Sequence, residues 1–108
     1  MKTLYLTLKK KPFDVMVTGE KKSEYRKNTK WIRSRLYNRD GTKREYDNVK
    51  FTNGYGSTRP YFIVKYINFE KINEFKKIYS NGLVVDYPKN DDGYFKINLG
   101  DILKSVTF

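Results

Sequence analysis

Residues 19–26 carry the densest set of side chains in this sequence that could do chemistry. They read Gly-Glu-Lys-Lys-Ser-Glu-Tyr-Arg and follow a short amphipathic stretch at residues 12–18. Such alternating charge is difficult to place in an apolar core, because burying a charge is costly unless it is paired. We therefore expect this segment to lie on the rim of a site that handles an anionic ligand.

The side chains of this segment suit phosphate recognition and proton transfer. Arg26 offers a planar, bidentate set of donors and Lys21 a mobile positive charge, and phosphate sites commonly use both. Glu24 can orient either cation through an ion pair or act as a general base. Lys21 and Glu24 are thus the candidate catalytic residues, and Lys21, Lys22 and Arg26 are candidates for binding nucleic acid. The alternative is an edge strand whose lysines face solvent.

A glycine-bearing loop at residues 53–60 is the second candidate binding segment. It reads Asn-Gly-Tyr-Gly-Ser-Thr-Arg-Pro, which is too long for a two-residue hairpin. Glycines in a loop allow the backbone to approach a ligand closely. Asn53, Tyr55 and Arg59 are therefore candidates for contacting a base or a phosphate, with a plain connecting loop as the alternative.

The composition favours a single basic domain over residues 1–108. Lysine and arginine number 23 against 12 acidic residues, giving a formal net charge of +11. Such a field attracts polyanions, although a lysine-rich, AT-biased coding sequence explains the same excess. The ten tyrosines, seven phenylalanines and one tryptophan are mostly expected in the core, and those beside basic residues suit stacking on unpaired bases.

Several kinds of site are excluded by the residue types alone. The chain has no histidine and no cysteine, so a thiolate or imidazole zinc site and a Ser-His-Asp relay are impossible. We expect no metal and no cofactor, because the acidic pair Asp91 and Asp92 lies in a predicted turn. Residues 2–8 are too short and polar for a signal peptide, and no apolar run reaches membrane-spanning length. A cytoplasmic protein without a membrane partner is the expectation.

Hydrophobic periodicity predicts a mostly β (α+β) barrel of five to seven strands with one or two short helices. A helix at residues 12–18 should end at Gly19 in a left-handed conformation. The following strand at 22–27 puts Glu24 and Arg26 on one face. A helix or turn is expected at 28–37, and 70–80 can be strand or helix. Further strands are predicted at 3–8, 49–52, 61–69 (central), 83–87, 94–99 and, after a break at Gly100-Asp101, 102–106. The core is expected to include Trp31, Phe62, Val64, Ile97 and Leu99.

This order of elements resembles the ASCH domain, a relative of the PUA fold. Gly19, Lys21, Glu24 and Arg26 match the family pattern G-x-K-x-x-E-x-R, and Phe13, Val17, residues 53–55 and residues 97–100 support the resemblance. The resemblance implies a β-barrel with peripheral helices and a cleft lined by the charged motif. Family members bind RNA or nucleotides. The small size and the Lys/Asn bias are typical of phage or low-GC bacterial versions.

The resemblance also implies possible hydrolysis. Some family members look like ribonucleases, and one branch hydrolyses an acylated cytidine with a lysine, a threonine and a glutamate. Lys21 matches the lysine, but Glu24 stands where that branch has its threonine nucleophile. A carboxylate cannot replace a hydroxyl nucleophile without a change of mechanism. Glu70 and Glu74 are the two candidates for the downstream carboxylate.

Three functions from different classes are therefore considered. The sequence favours an RNA- or nucleotide-binding module built around the charged motif. The first alternative is a small hydrolase acting on RNA or on a modified nucleoside. The second is a protein-interaction factor that contacts an acidic partner.

Overall fold

A curled five-stranded sheet, in the form of a half-barrel, is the body of the molecule. The computed structural model describes residues 1–54 and 58–107. Within these residues the elements are β1 (Thr3–Leu8), α1 (Lys10–Val17), β2 (Ser23–Lys27), α2 (Lys30–Leu36), β3 (Asn48–Asn53), β4 (Tyr61–Ile72), β5 (Phe75–Ile78), β6 (Val84–Tyr87) and β7 (Tyr94–Val106).

The strand order of the large sheet is β1-β3-β4-β7-β2. β1 runs parallel to β3, and the other neighbours in this sheet are antiparallel. β5 and β6 form a separate antiparallel hairpin. β1 and β2 are therefore the two edges of the large sheet, and the predicted mostly β fold with two short helices is confirmed.

The core follows from the alternation of apolar residues along the strands. The three leucines of β1 are buried against the apolar residues of β3 and β4, and both helices add side chains to the same cluster. Burial of this apolar surface is the main favourable term for folding. The largest fully buried side chains are Leu4, Met16, Ile32, Leu36, Val49, Phe51, Phe62, Phe95 and Ile97.

Most predicted elements are confirmed. The helix expected at residues 12–18 is α1, which begins earlier, and Gly19 after it has a φ of +87°. The strand expected at residues 61–69 is β4, which lies in the middle of the sheet order. Residues 70–80, left open between strand and helix, complete β4 and form β5. Phe62, Val64, Ile97 and Leu99 are buried as predicted.

The prediction that Trp31 belongs to the core is wrong. Trp31 is 48% exposed on α2, whereas Ile32 and Leu36 are buried. Ile32 and Leu36 are four residues apart and share the inward face of the helix, so the neighbouring Trp31 is rotated away from the core by about 100°.

The predicted break at Gly100-Asp101 is also wrong, because β7 continues to Val106. The strand does not end there; instead, the register of its pairing with β4 shifts near Val64 and Tyr66. A Cβ atom at Gly100 would lie 3.2 Å from the Cβ of Lys65. The glycine therefore allows the two strands to approach closely without ending the strand.

Neither helix of the described residues combines the length and apolar character that crossing a bilayer requires.

A first prediction concerns the turn before β7. Gly93 has a φ of +74°, and a Cβ there would lie 2.9 Å from the Cε of Lys71 and 3.0 Å from the carbonyl oxygen of Ile72. Gly41 has a similar φ of +87° but no described atom within 4 Å of its Cβ position. Left-handed strain alone costs about 1 kcal/mol, and a backbone clash adds about 1–3 kcal/mol. We expect Gly93→Ala to lower the free energy of unfolding in urea more than Gly41→Ala does. Equal losses would contradict this reading of the turn.

A second prediction concerns alkaline pH. Burial raises the pKa of Tyr66 and of Tyr79 to about 12. An unfolded tyrosine loses its proton near pH 10, so between about pH 10 and 12 the folded state holds more protons than the unfolded state. The free energy of unfolding should therefore fall as the pH rises through this window. A Tyr66→Phe/Tyr79→Phe variant should show a shallower fall in pH-dependent urea unfolding, and an unchanged slope would contradict the assignment.

Candidate functional site

A cleft with a volume of about 760 Å³ opens beside β2. Its walls come from parts of the chain that are distant in sequence: the ends of β1 and β3, the start of α1, the charged motif on β2, and the β5–β6 hairpin. The lining residues are Thr7, Leu8, Lys9, Pro12, Lys21, Glu24, Tyr25, Arg26, Asn53, Gly54 and residues 83–87.

Lys21 lies in the floor of this cleft, and its side chain is only 1% exposed. Its Nζ donates to the carbonyl oxygen of Ser23 at 2.6 Å and to Oε1 of Glu24 at 3.1 Å, and it lies 3.7 Å from Sδ of Met16. An ammonium group has three N–H donors, and these three acceptors match them. Burial lowers the pKa of Lys21, and the charge of Glu24 offsets part of that effect.

Glu24 is the centre of the charged network. Its Oε1 accepts from Lys21 and from the backbone N–H of Tyr25 at 3.1 Å. Its Oε2 accepts a hydrogen bond from Nε of Arg26 at 3.0 Å and forms an ion-pair contact with Nη2 at 2.8 Å. One buried carboxylate thus joins two cations, and the three charges together leave a net charge of +1 at the cleft.

Arg26 is the cation of this network that a ligand can reach, since its side chain is 25% exposed. The alternation of β2 puts it on the same face as Glu24. Its Nη2 also donates to the carbonyl oxygen of Thr7 at 2.8 Å. Nη1 has no hydrogen bond to any residue in the described part of the chain, so this corner of the guanidinium can receive an anion.

The β5–β6 hairpin contributes residues 83–87, which include β6, to the lining of the cleft. Tyr25 stacks on Phe75 with ring centroids 4.0 Å apart, and the hydroxyl of Tyr87 donates to the carbonyl oxygen of Tyr25 at 3.0 Å. Tyr87 also stacks on Tyr94 at 4.6 Å. These contacts hold the hairpin against β2. They also bring the exposed carboxylate of Asp86 to the same cleft.

The structure brings four of the predicted site residues together: Lys21, Glu24, Arg26 and Asn53. The expected position on a rim is wrong for Lys21 and Glu24, because mutual pairing allows both to be buried. Ser23 faces away and donates to Oδ1 of Asn98, as its place on a strand predicted.

The other predicted residues lie elsewhere. Lys22 is exposed and does not line the cleft; it lines a smaller depression together with Lys21 and Gly100. Arg59 is exposed and its Nε lies 4.0 Å from the Cβ position of Gly54, next to the cleft. The prediction for Tyr55 falls outside the described residues. Glu70 and Glu74 do not line the cleft.

Sequence reasoning missed the wall contributed by β6. The alternation of residues 84–87 predicts a strand, but Asp86 and Tyr87 are about sixty residues from the motif. No local pattern indicates which strand edge a distant hairpin packs against. Aromatic residues on both partners, such as Tyr25 and Tyr87, were the only available signal.

Chemically, the arrangement suits anion binding better than proton transfer. The N–H groups of Lys21 are directed to protein acceptors, and both oxygens of Glu24 accept hydrogen bonds. Neither group is therefore free to exchange a proton without breaking the network. What the network does is hold one guanidinium in a fixed orientation, facing the cleft.

Neither a metal centre nor a known relative identifies the ligand. No group of three or more carboxylates that could hold a metal ion occurs among residues 1–54 and 58–107. Comparisons with protein-family models, curated proteins and solved structures gave no match. The candidate site therefore rests on its own geometry and electrostatics.

A third prediction tests the buried network. Glu24→Gln leaves Lys21 without its counter-charge, and breaking a buried pair costs about 3–5 kcal/mol of unfolding free energy. Glu74→Gln, which changes an exposed carboxylate in the same way, is the matched control. Adding Lys21→Met to Glu24→Gln removes the uncompensated charge and should recover part of the loss. Urea unfolding of the wild type, Glu24→Gln, Lys21→Met, the double variant and the Glu74→Gln control measures this coupling, and a strictly additive double variant would contradict it.

Proposed function

We propose that this protein binds RNA or a nucleotide, and that Arg26 holds a phosphate of the ligand in the cleft beside β2. The observation that carries the proposal is the set of hydrogen bonds that hold the Arg26 side chain. Glu24 and the Thr7 carbonyl fix its Nε and Nη2, while Nη1 has no hydrogen bond to a described residue and the side chain lines the cleft. A preorganised guanidinium is well suited to phosphate, because the two N–H groups of Nη1 can make charge-assisted hydrogen bonds, which are stronger than neutral ones.

The rest of the cleft has the chemistry that a nucleoside requires. Leu8, Pro12, Leu83 and Val85 supply an apolar surface on which a base or a ribose can lie. The amide of Asn53 can both donate to and accept from a base edge. Asp86 can accept from an amino group of a base or from a ribose hydroxyl.

The overall charge supports the same ligand class. The formal net charge of +11 raises the local concentration of polyanions and accelerates their encounter with the cleft. The resemblance of residues 19–26 to the ASCH motif agrees with this proposal, and membership of that family stays a prediction. A ligand of this kind is met in the cytoplasm, where we expect the protein to act.

A hydrolase acting on RNA or on a modified nucleoside is the second candidate. The observation that favours it is the lowered pKa of Lys21 in the floor of a cleft, a pattern common at catalytic sites. Against it, the Lys21 side chain is almost inaccessible and Glu24 replaces a hydroxyl nucleophile. Binding without turnover is therefore the function that the geometry supports better.

The fourth prediction is that Arg26→Ala weakens the binding of single-stranded RNA and of nucleoside monophosphates by about tenfold or more, since a hydrogen-bonded charge is lost. Lys104→Ala removes the same charge from an exposed position outside the cleft and is the matched control. Arg26→Lys, which keeps the charge but loses the planar guanidinium that Glu24 and Thr7 hold in place, should lie between them. Fluorescence anisotropy and competition at about 50 mM salt measure the affinities.

Two results would contradict the proposed function. One is an equal loss of affinity in Arg26→Ala and Lys104→Ala, with thermal unfolding confirming that both are folded. The other is turnover of RNA or of acylated nucleosides, with or without Mg²⁺, that disappears in Lys21→Ala. The second result would establish the hydrolase instead.

A further inference from the structure

A basic and aromatic surface outside the cleft is formed by α2 and the turn that follows it. Four of the six arginines of the chain lie within residues 33–44, a clustering that the overall composition does not explain. Asp40 is the one acidic residue between positions 25 and 44, and its carboxylate is already bound by Thr42. We call this the α2 surface; Trp31 and Arg35, which are four residues apart and share one side of the helix, are its centre.

Trp31 gives this surface a large exposed ring. It is 48% exposed, while Ile32 and Leu36 anchor the helix in the core. The guanidinium of Arg35 lies 5.1 Å from the centre of the Trp31 ring. Arginine thus covers one face of the indole and holds it in place, and the remaining surface is open to another planar group.

The α2 surface is held in position before any ligand binds. Thr29 caps α2 by accepting from the backbone N–H of Ile32 at 3.3 Å, and the hydroxyl of Tyr46 donates to the carbonyl oxygen of Arg35. Nε of Arg44 donates to the carbonyl oxygen of Tyr37 at 3.2 Å. Because these contacts order the backbone, little conformational entropy remains to be lost when a ligand binds.

The α2 surface is also close to the cleft along the chain. Only two residues separate β2 from α2. Trp31 follows Arg26 by five residues, so their Cα atoms are at most about 18 Å apart. A single strand of a few nucleotides is long enough to span that distance.

We propose that the α2 surface binds single-stranded RNA, with an unpaired base stacked on Trp31 and a neighbouring phosphate held by Arg35. Exposed aromatic rings among cations bind single strands in this way, since every base has a stacking face. For the ligand class, this inference rests on the proposed function. It adds that the natural ligand is a chain that runs from Arg26 across α2, rather than a free nucleotide.

The fluorescence of Trp31 provides a direct probe, because it is the only tryptophan of the chain. We would titrate the full chain with a single-stranded oligonucleotide of about twelve nucleotides, with a duplex of equal length and with a mononucleotide. The single strand should quench the emission of Trp31. The duplex, whose bases are not available for stacking, and the mononucleotide, which is held in the cleft, should not.

Matched variants separate this surface from the cleft. Trp31→Ala should weaken the binding of a labelled single strand by about five- to tenfold, the loss expected for one stacked base. Tyr5→Ala removes an aromatic ring that is 67% exposed on β1, and is the control. Arg35→Ala should weaken binding more than Lys104→Ala does. Mononucleotide affinity should be unchanged in Trp31→Ala.

The outcomes distinguish this inference from the proposed function. Single-strand affinity that is normal in Trp31→Ala but lost in Arg26→Ala overturns the inference and leaves the proposed function standing. Quenching by the single strand, together with no mononucleotide binding and no effect of Arg26→Ala, supports base stacking on Trp31 but overturns both the path from Arg26 and the proposed function. Equal quenching by duplex RNA or by polyglutamate overturns base stacking on Trp31.

Discussion

A hydrogen bond across the open side of the half-barrel is the interaction on which the candidate site depends. Arg26 lies on β2 and donates to the carbonyl oxygen of Thr7 on β1, although these strands are the two edges of the large sheet. Glu24 makes this contact possible, since it fixes both Nε and Nη2 of the guanidinium. The same hydrogen bond therefore joins the two edges of the curled sheet and holds the cation that lines the cleft.

The buried charges of Lys21 and Glu24 are better explained by their role in positioning Arg26 than by a contribution to the stability of the fold. A buried ion pair contributes little net stability, because desolvation offsets most of its attraction. Lys21 and Glu24 are nevertheless fully hydrogen-bonded under the cleft, and Arg26 is held above them with one edge exposed. A guanidinium held in this way loses little freedom when it binds an anion. On this account, the network orients a ligand contact, and the β5–β6 hairpin shapes the space around it.

Features of the structure that depend on local sequence pattern could be predicted from the sequence. Alternation located β1, β2 and β4, and the two-residue spacing of Glu24 and Arg26 correctly put both on one face. Sequence patterns gave wrong predictions where contacts between distant residues determine the burial of a side chain or the length of a strand. Trp31 is exposed because its neighbours Ile32 and Leu36 take the inward face, and β7 continues past Gly100 because its pairing with β4 extends to Val106. The burial of Lys21 depends on Met16 and Glu24 together, which composition alone does not reveal.

The most direct test of the central claim is the NMR spectrum of the Arg26 guanidinium during titration with a nucleoside monophosphate. The account predicts that the Nε–Hε resonance of Arg26 is already protected from exchange in the free protein, because Glu24 accepts from it. It further predicts that the Nη resonances of this residue shift as the phosphate binds. Saturation of the protein with ligand while the Arg26 resonances stay unmoved would contradict the account.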